Sequence, residues 1–153
     1  MTDALLTDVR RVIAFAIARE EAAARLYARL AALSKHPGLT KLLLDLQDDE
    51  KRHKDLLEDL GPDKIRNLDP ALVEDLKLSD ELAAETPSAD MTFQEALVFA
   101  AKKEAAAVVL YETLAARTSD PALKQVFEFL RGQEKVHKLK IESEYERLVL
   151  TEN

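Results

Sequence analysis

The 153-residue chain contains no cysteine and no tryptophan, only three glycines, and few aromatic residues, 5% in all. Without a thiol it cannot build a disulfide, a thiolate nucleophile, an iron–sulfur cluster or any cysteine-held iron centre of its own. Electrons for redox chemistry would therefore come from an external donor. Scarce glycine, five prolines and long stretches of Ala, Leu, Glu, Lys and Arg leave little material for sheet and favour helix almost throughout. A basic face is missing as well. The formal charge is -7 and the isoelectric point near 5.1, so a phosphate backbone meets no matching surface and no nucleic-acid partner is expected. No apolar run approaches the roughly 20 residues that span a bilayer, and Met1 to Arg11 lacks the basic-then-apolar order of a secretory leader. These features predict no membrane partner and a cytoplasmic location. What is present is 47% hydrophobic, enough to bury a core in a single domain over 1–153.

The chain repeats itself. Residues 16–58 compared with 100–142, a shift of 84 positions, agree at 17 of 43 places without a gap. Matches at Ala or Leu mean little in a helical protein, but Glu20, Tyr27, Pro37, Glu50 and His53 recur as Glu104, Tyr111, Pro121, Glu134 and His137. An internal repeat explains this better than composition does. Each copy reads as helix, turn, helix, breaking at 34–38 and at 118–121, with Pro121 as a first helical residue and Asp120 as its N-cap. The spacing predicts helices over 4–34, 38–60, 91–118 and 121–150. A hairpin at about 4–60 and another at about 92–150 are then joined by a crossover, 61–91, in which 71–85 is weakly amphipathic and suited to one short helix. The expected fold is an all-α four-helix bundle made of a duplicated hairpin with a long crossover connection.

Charges fall where the core should be. In the first helix Leu6, Val9, Ile13, Ala16, Glu20, Ala23, Tyr27 and Leu30 form one seam at alternating spacings of three and four. The third helix repeats it with Glu104 and Tyr111. Glu50 and His53 sit on the seam of the second helix, and Glu134 and His137 on that of the fourth, each His about 4.5 Å up the axis from its Glu on the same face. Glu20 lies 17 residues before Pro37 and Glu50 lies 13 after it, and Glu104 and Glu134 bear the same relation to Pro121. Antiparallel pairing brings all four carboxylates to one level. Four buried, ionised, unpaired carboxylates would each cost several kcal/mol. Either they share protons, or cations neutralise them; two divalent ions would balance the four charges, with neutral imidazoles completing the shell. Mixed carboxylate and imidazole donors suit iron, manganese or zinc better than calcium or magnesium, and the lack of thiolate disfavours copper(I). Tyr27 and Tyr111 read equally well as core aromatics or as donors to a carboxylate. Asp49 and Gln133, just before Glu50 and Glu134, either orient a histidine through its outer nitrogen or are exposed polar residues. His36 falls in a turn, off the seam.

This arrangement of seam Glu, E-x-x-H, seam Glu, E-x-x-H resembles the ferritin-like di-iron carboxylate superfamily. Glu20 with Tyr27, the run Asp48-Asp49-Glu50-Lys51-Arg52-His53, Glu104 with Tyr111, and Gln133-Glu134-Lys135-Val136-His137 look most like its rubrerythrin branch. The resemblance covers the chain apart from the crossover. It implies two iron ions, with Glu50 and Glu134 bridging them, Glu20 and His53 on one, Glu104 and His137 on the other, and all six as the catalytic centre. It also implies a homodimer. Rubrerythrins carry a cysteine-ligated iron domain, for which this sequence has no cysteine, and a further glutamate one turn after the third-helix ligand, where this chain has Ala107. The six-ligand set is closer to bacterioferritin-type ferroxidase centres and manganese catalases. The expected function is a non-haem di-iron oxidoreductase, peroxidase- or ferroxidase-like, that oxidises a di-ferrous centre with hydrogen peroxide or dioxygen in oxidative-stress defence or iron handling. The alternatives are a di-manganese catalase and a non-catalytic iron-binding or structural bundle.

Overall fold

The structure, a computed structural model, describes residues 3–69, 71 and 87–152. Two long antiparallel hairpins account for most of it: α1 (Asp3–Leu33) with α2 (Pro37–Glu58), and α4 (Phe93–Ala116) with α5 (Pro121–Glu152). A single-turn helix, α3 (Pro62–Ile65), follows the first hairpin. Partners within each hairpin pack along their length; between hairpins, α1 meets α4 and α2 meets α5. The described residues contain no strand beyond an isolated antiparallel bridge between Leu68 and Thr118.

Local chemistry sets the helix ends. Pro37 begins α2 at a position whose missing N–H no helical carbonyl needs. The Asp120 carboxylate accepts from the N–H of Ala122 at 2.9 Å and caps α5. Thr92 caps α4 by accepting from Glu95 N–H, while the Glu95 carboxylate accepts from Thr92 N–H, so the helix starts at Phe93 rather than at 91 as the periodicity suggested. At the other end, α2 stops at Glu58 and α4 at Ala116, each two residues earlier than the spacing predicts.

The crossover begins by docking onto the bundle. Asp69 N–H donates to the Arg117 carbonyl at 2.6 Å and Ser119 N–H to that of Asn67 at 3.3 Å, which ties the chain to the turn between α4 and α5. Leu68 goes into the core beside this anchor. The short helix expected over 71–85 lies, apart from Ala71, outside the described residues.

Apolar packing is divided into two clusters. One joins Val9, Val12, Ile13 and Ala16 of α1 to Leu57 of α2, Leu110 and Leu114 of α4, and Leu123, Phe127 and Leu130 of α5. The other joins Leu26 and Leu30 to Leu39, Leu43, Leu46, Leu97 and Ile141. Burying each of the Val, Leu, Ile and Phe side chains among these contributes about 1.5–3 kcal/mol, which supplies the driving force for closing the bundle. Between the clusters, at mid-height, the seam positions are polar. His36 is exposed in its turn. No described helix is long and apolar enough to cross a membrane.

Candidate metal centre

The polar layer consists of the six seam residues, one or two from each long helix. Glu20, Glu50 and Glu134 are 0% exposed, Glu104 and His137 1%, and His53 2%, so solvent screens none of them. Glu20 stands on α1 and Glu104 on α4, while α2 and α5 each provide the Glu and His three residues apart. Ligand-type atoms of Glu20, Glu50, His53 and Glu134 lie within 4.8 Å of one another, and so do those of Glu50, Glu104, Glu134 and His137. The two quartets share Glu50 and Glu134.

Both imidazoles turn Nδ1 inward. His53 Nδ1 is 2.9 Å from Glu134, 3.2 Å from Glu50 and 3.5 Å from Glu20. His137 Nδ1 is 2.9 Å from Glu50, 3.7 Å from Glu134 and 3.9 Å from Glu104. The rings stack with centroids 5.7 Å apart. None of these contacts is aligned as a hydrogen bond: both Nδ1 atoms, and at least one oxygen of each of the four glutamates, are buried with no hydrogen-bond partner. Orphaned lone pairs converging from six side chains are what a cation would satisfy. This donor set fits two divalent transition-metal ions, and the buried Glu and His clusters can hold metal.

A residue off the predicted seam also enters the layer. Arg19 Nη1 lies 3.0 Å from Glu20, 3.0 Å from Glu50 and 2.5 Å from Glu134, and Nη2 lies 3.2 Å from Glu104. One guanidinium thus spans both quartets. Its side chain is only 9% exposed. The periodicity places an off-seam arginine on the solvated outer face, and Arg19 corrects that expectation, because position 19 falls beside the apolar seam while its long side chain reaches inward; the signal in the sequence is a basic residue directly before the seam Glu in both copies, Arg19 before Glu20 and Lys103 before Glu104.

The outer contacts resolve what periodicity left open. Tyr111 donates to Glu20 at 2.5 Å and Tyr27 donates to Glu104, so each tyrosine reaches across to the other hairpin's glutamate. Both are fully buried core aromatics as well. Burial, with the nearby carboxylates, holds both phenols well above their usual pKa, so they remain donors. Asp49 lies 3.0 Å from His137 Nε2, the outer ring nitrogen. Burial alone would raise the Asp49 carboxyl, but hydrogen bonds from Arg52 and His137 outweigh it and hold the carboxyl below its usual range. Gln133 does not do the same for His53: among the described residues no hydrogen bond joins them, and that ring meets Phe129 edge-on at 6.3 Å.

Electrostatics divides the glutamates. Burial drives Glu134 well above the usual carboxylate pKa and raises Glu20, with Arg19 opposing in both cases. Glu50 is held well below and Glu104 below, because Arg19 and the imidazoles outweigh their burial. Burial also opposes a charge on the histidines, but the neighbouring glutamates overcome it, lifting His53 to about 9 and His137 to about 10. In the absence of metal, protons and Arg19 together compensate the carboxylates.

No curated protein matches the chain. In fold it is similar to a solved hypothetical protein from Pyrococcus furiosus, with 21% identity over 92% of this chain and 90% of that one and a TM-score of 0.70. Residues 5–61, which include Glu20, Glu50 and His53, match the Rubrerythrin family model. The first hairpin of this all-α, ferritin-like bundle is therefore similar to the Rubrerythrin family, and the second hairpin repeats its ligand-type residues.

Proposed function

We propose that the chain is a non-haem di-iron oxidoreductase whose di-ferrous form is oxidised by hydrogen peroxide or dioxygen, serving oxidative-stress defence or iron handling. The observation that carries this reading is the convergence of two buried quartets that share Glu50 and Glu134. Glu20 and His53 would hold one iron, Glu104 and His137 the other, and Glu50 and Glu134 both. The irons would supply the two electrons that reduce peroxide to water. The chain's own residues do the rest. Asp49 fixes the His137 ring so that Nδ1 faces the cluster. Tyr27 and Tyr111 orient the outer glutamates, and the two apolar clusters above and below exclude water. An external donor would return the electrons. A homodimer would bury Phe129, Val136 and Leu139, exposed apolar residues on one side of α5.

Ala107, 2% exposed, stands where a rubrerythrin has a further glutamate, so the centre has no spare carboxylate to exchange. The di-ferrous protein should accordingly react with both oxidants and prefer peroxide less than a full rubrerythrin does. Anaerobic reconstitution with Fe(II), then stopped-flow mixing with each oxidant while the ferric absorption is followed, measures both rates. Inertness to both would end the di-iron reading, and a manganese-loaded sample that disproportionates peroxide would replace it with a di-manganese catalase. Arg19 favours a second reading. Because it brings a cation to the carboxylates, the layer can stand as a structural, non-catalytic core, and protein that takes up no metal at all would select this alternative.

A further inference from the structure

Glu20, Glu50 and Glu134 all lie within 3.0 Å of Arg19 Nη1, and Glu104 lies 3.2 Å from Nη2. Carboxylate oxygens hold a transition-metal ion at about 2.0–2.2 Å, so no ion can take this space while the guanidinium is in it. Nor can arginine yield by losing its proton, since a guanidinium stays charged in proteins. It has to leave bodily.

The second copy of the repeat shows where it can go. Lys103 of α4 occupies the place matching Arg19, directly before the seam glutamate, yet its ammonium is not in the cluster: it lies 5.3 Å from the centroid of the Phe99 ring, one turn back along the helix. Phe15 stands at the same spacing before Arg19 and is partly buried against the first apolar cluster. Helical side chains lean toward the N-terminus, so a swing from the cluster onto the Phe15 face follows an ordinary rotamer change, and arginine stacks on aromatic faces at least as well as lysine does. We infer that Arg19 is an exchangeable internal cation of this centre: its guanidinium and the two metal ions are alternative occupants of the same carboxylate cage, and metal loading moves it onto Phe15.

This rests on the metal-binding reading proposed above. It adds that Arg19 determines which ions the cage accepts. An ion must bind the four glutamates and two imidazoles strongly enough to displace a built-in competitor, which iron, manganese or zinc can do and magnesium, with its preference for oxygen ligands and retained water, does not. If the cage is open only a few per cent of the time, apparent affinity is lowered by roughly ten- to a hundredfold. Removing the competitor restores that factor.

The test uses Zn(II), which is diamagnetic and redox-silent, titrated into the full chain in competition with a chelator. The wild type should bind two ions. Arg19→Gln should bind them about tenfold or more tightly, and its metal-free form should melt lower than the wild type. Since the variant loses the guanidinium that faces all four glutamates and its folding is put at risk, the wild type carries an independent readout: its Arg19 Nε–Hε signal in 15N-resolved NMR should be slow to exchange with water without metal and should move to a new position at two equivalents of Zn(II). Equal affinity of wild type and variant, or an Arg19 signal that zinc leaves unmoved, overturns the exchange while the metal centre stands. Zinc uptake by the variant alone also overturns it, because Arg19 would then be a permanent occupant. No uptake by either protein defeats the metal-binding reading itself.

Discussion

The hydroxyl of Tyr111 on α4 donates to the carboxylate of Glu20 on α1 at 2.5 Å, and the repeat reproduces the bond in reverse as Tyr27 to Glu104. These two bonds join the hairpins through the polar layer, where apolar packing is interrupted. A hydrogen bond to a charged acceptor contributes about 1.5–3 kcal/mol, and removing the donor leaves a buried oxygen undersupplied. Tyr111→Phe should therefore lower unfolding free energy by about 1–2 kcal/mol, and Tyr27→Phe by a similar amount, measured by urea denaturation with m-values compared. A loss under about 0.3 kcal/mol in both would mean that the tyrosines act only as packed rings.

The asymmetry between the two histidines makes a second prediction. His137 has Asp49 on its outer nitrogen, whereas no described hydrogen bond links His53 to Gln133. Loss of such an orienting partner typically weakens a metal site by 10–100-fold. Asp49→Ala should weaken one of two metal-binding steps by roughly that factor, while Gln133→Ala leaves both within about twofold. Isothermal titration with Zn(II) resolves the steps, and equal effects of the two substitutions would contradict the account.

Most of this architecture was legible in the sequence because it is periodic. The 84-residue repeat, the seam and the matched distances from Pro37 and Pro121 place six ligand-type residues at one height, and those residues are buried together. Helix ends were less legible. The Thr92–Glu95 capping box overrides the seam's continuation at α4, and α3 is a single turn held by Gly61 and Pro62 rather than by any periodic pattern. Arg19 was not legible because periodicity reports where a backbone position faces, not how far a long side chain can reach. The choice between orienting and merely polar roles for Asp49 and Gln133 likewise depended on geometry across helices, since both precede their glutamates identically.

A third prediction concerns pH. His53 and His137 have folded pKa values of about 9 and about 10 against 6.5 for a free imidazole, so the stability they contribute to the metal-free protein is complete below about 6.5 and is lost as pH rises through 9 to 10. Glu134 and Glu20, raised by burial, act in the same direction: above about 4.5 the unfolded chain ionises them more readily than the folded one. Glu50, held well below 4.5, acts oppositely and its contribution is lost on acidification. Metal-free protein should thus melt progressively lower between pH 6.5 and 10. Metal-loaded protein, with neutral imidazoles bound, should not follow that slope, and metal uptake should release protons. Calorimetric scans in chelator and in excess Zn(II) across this range would show it, and parallel curves would refute it.

The central claim is that one chain builds one dinuclear centre around Glu50 and Glu134. Anaerobic titration of purified protein with Fe(II), with bound metal counted by elemental analysis after removal of free ions, tests it most directly. The account predicts saturation at two ions per chain, and loss of the paired site in Glu50→Ala and in Glu134→Ala; saturation of the wild type at one ion, or no binding, would contradict it.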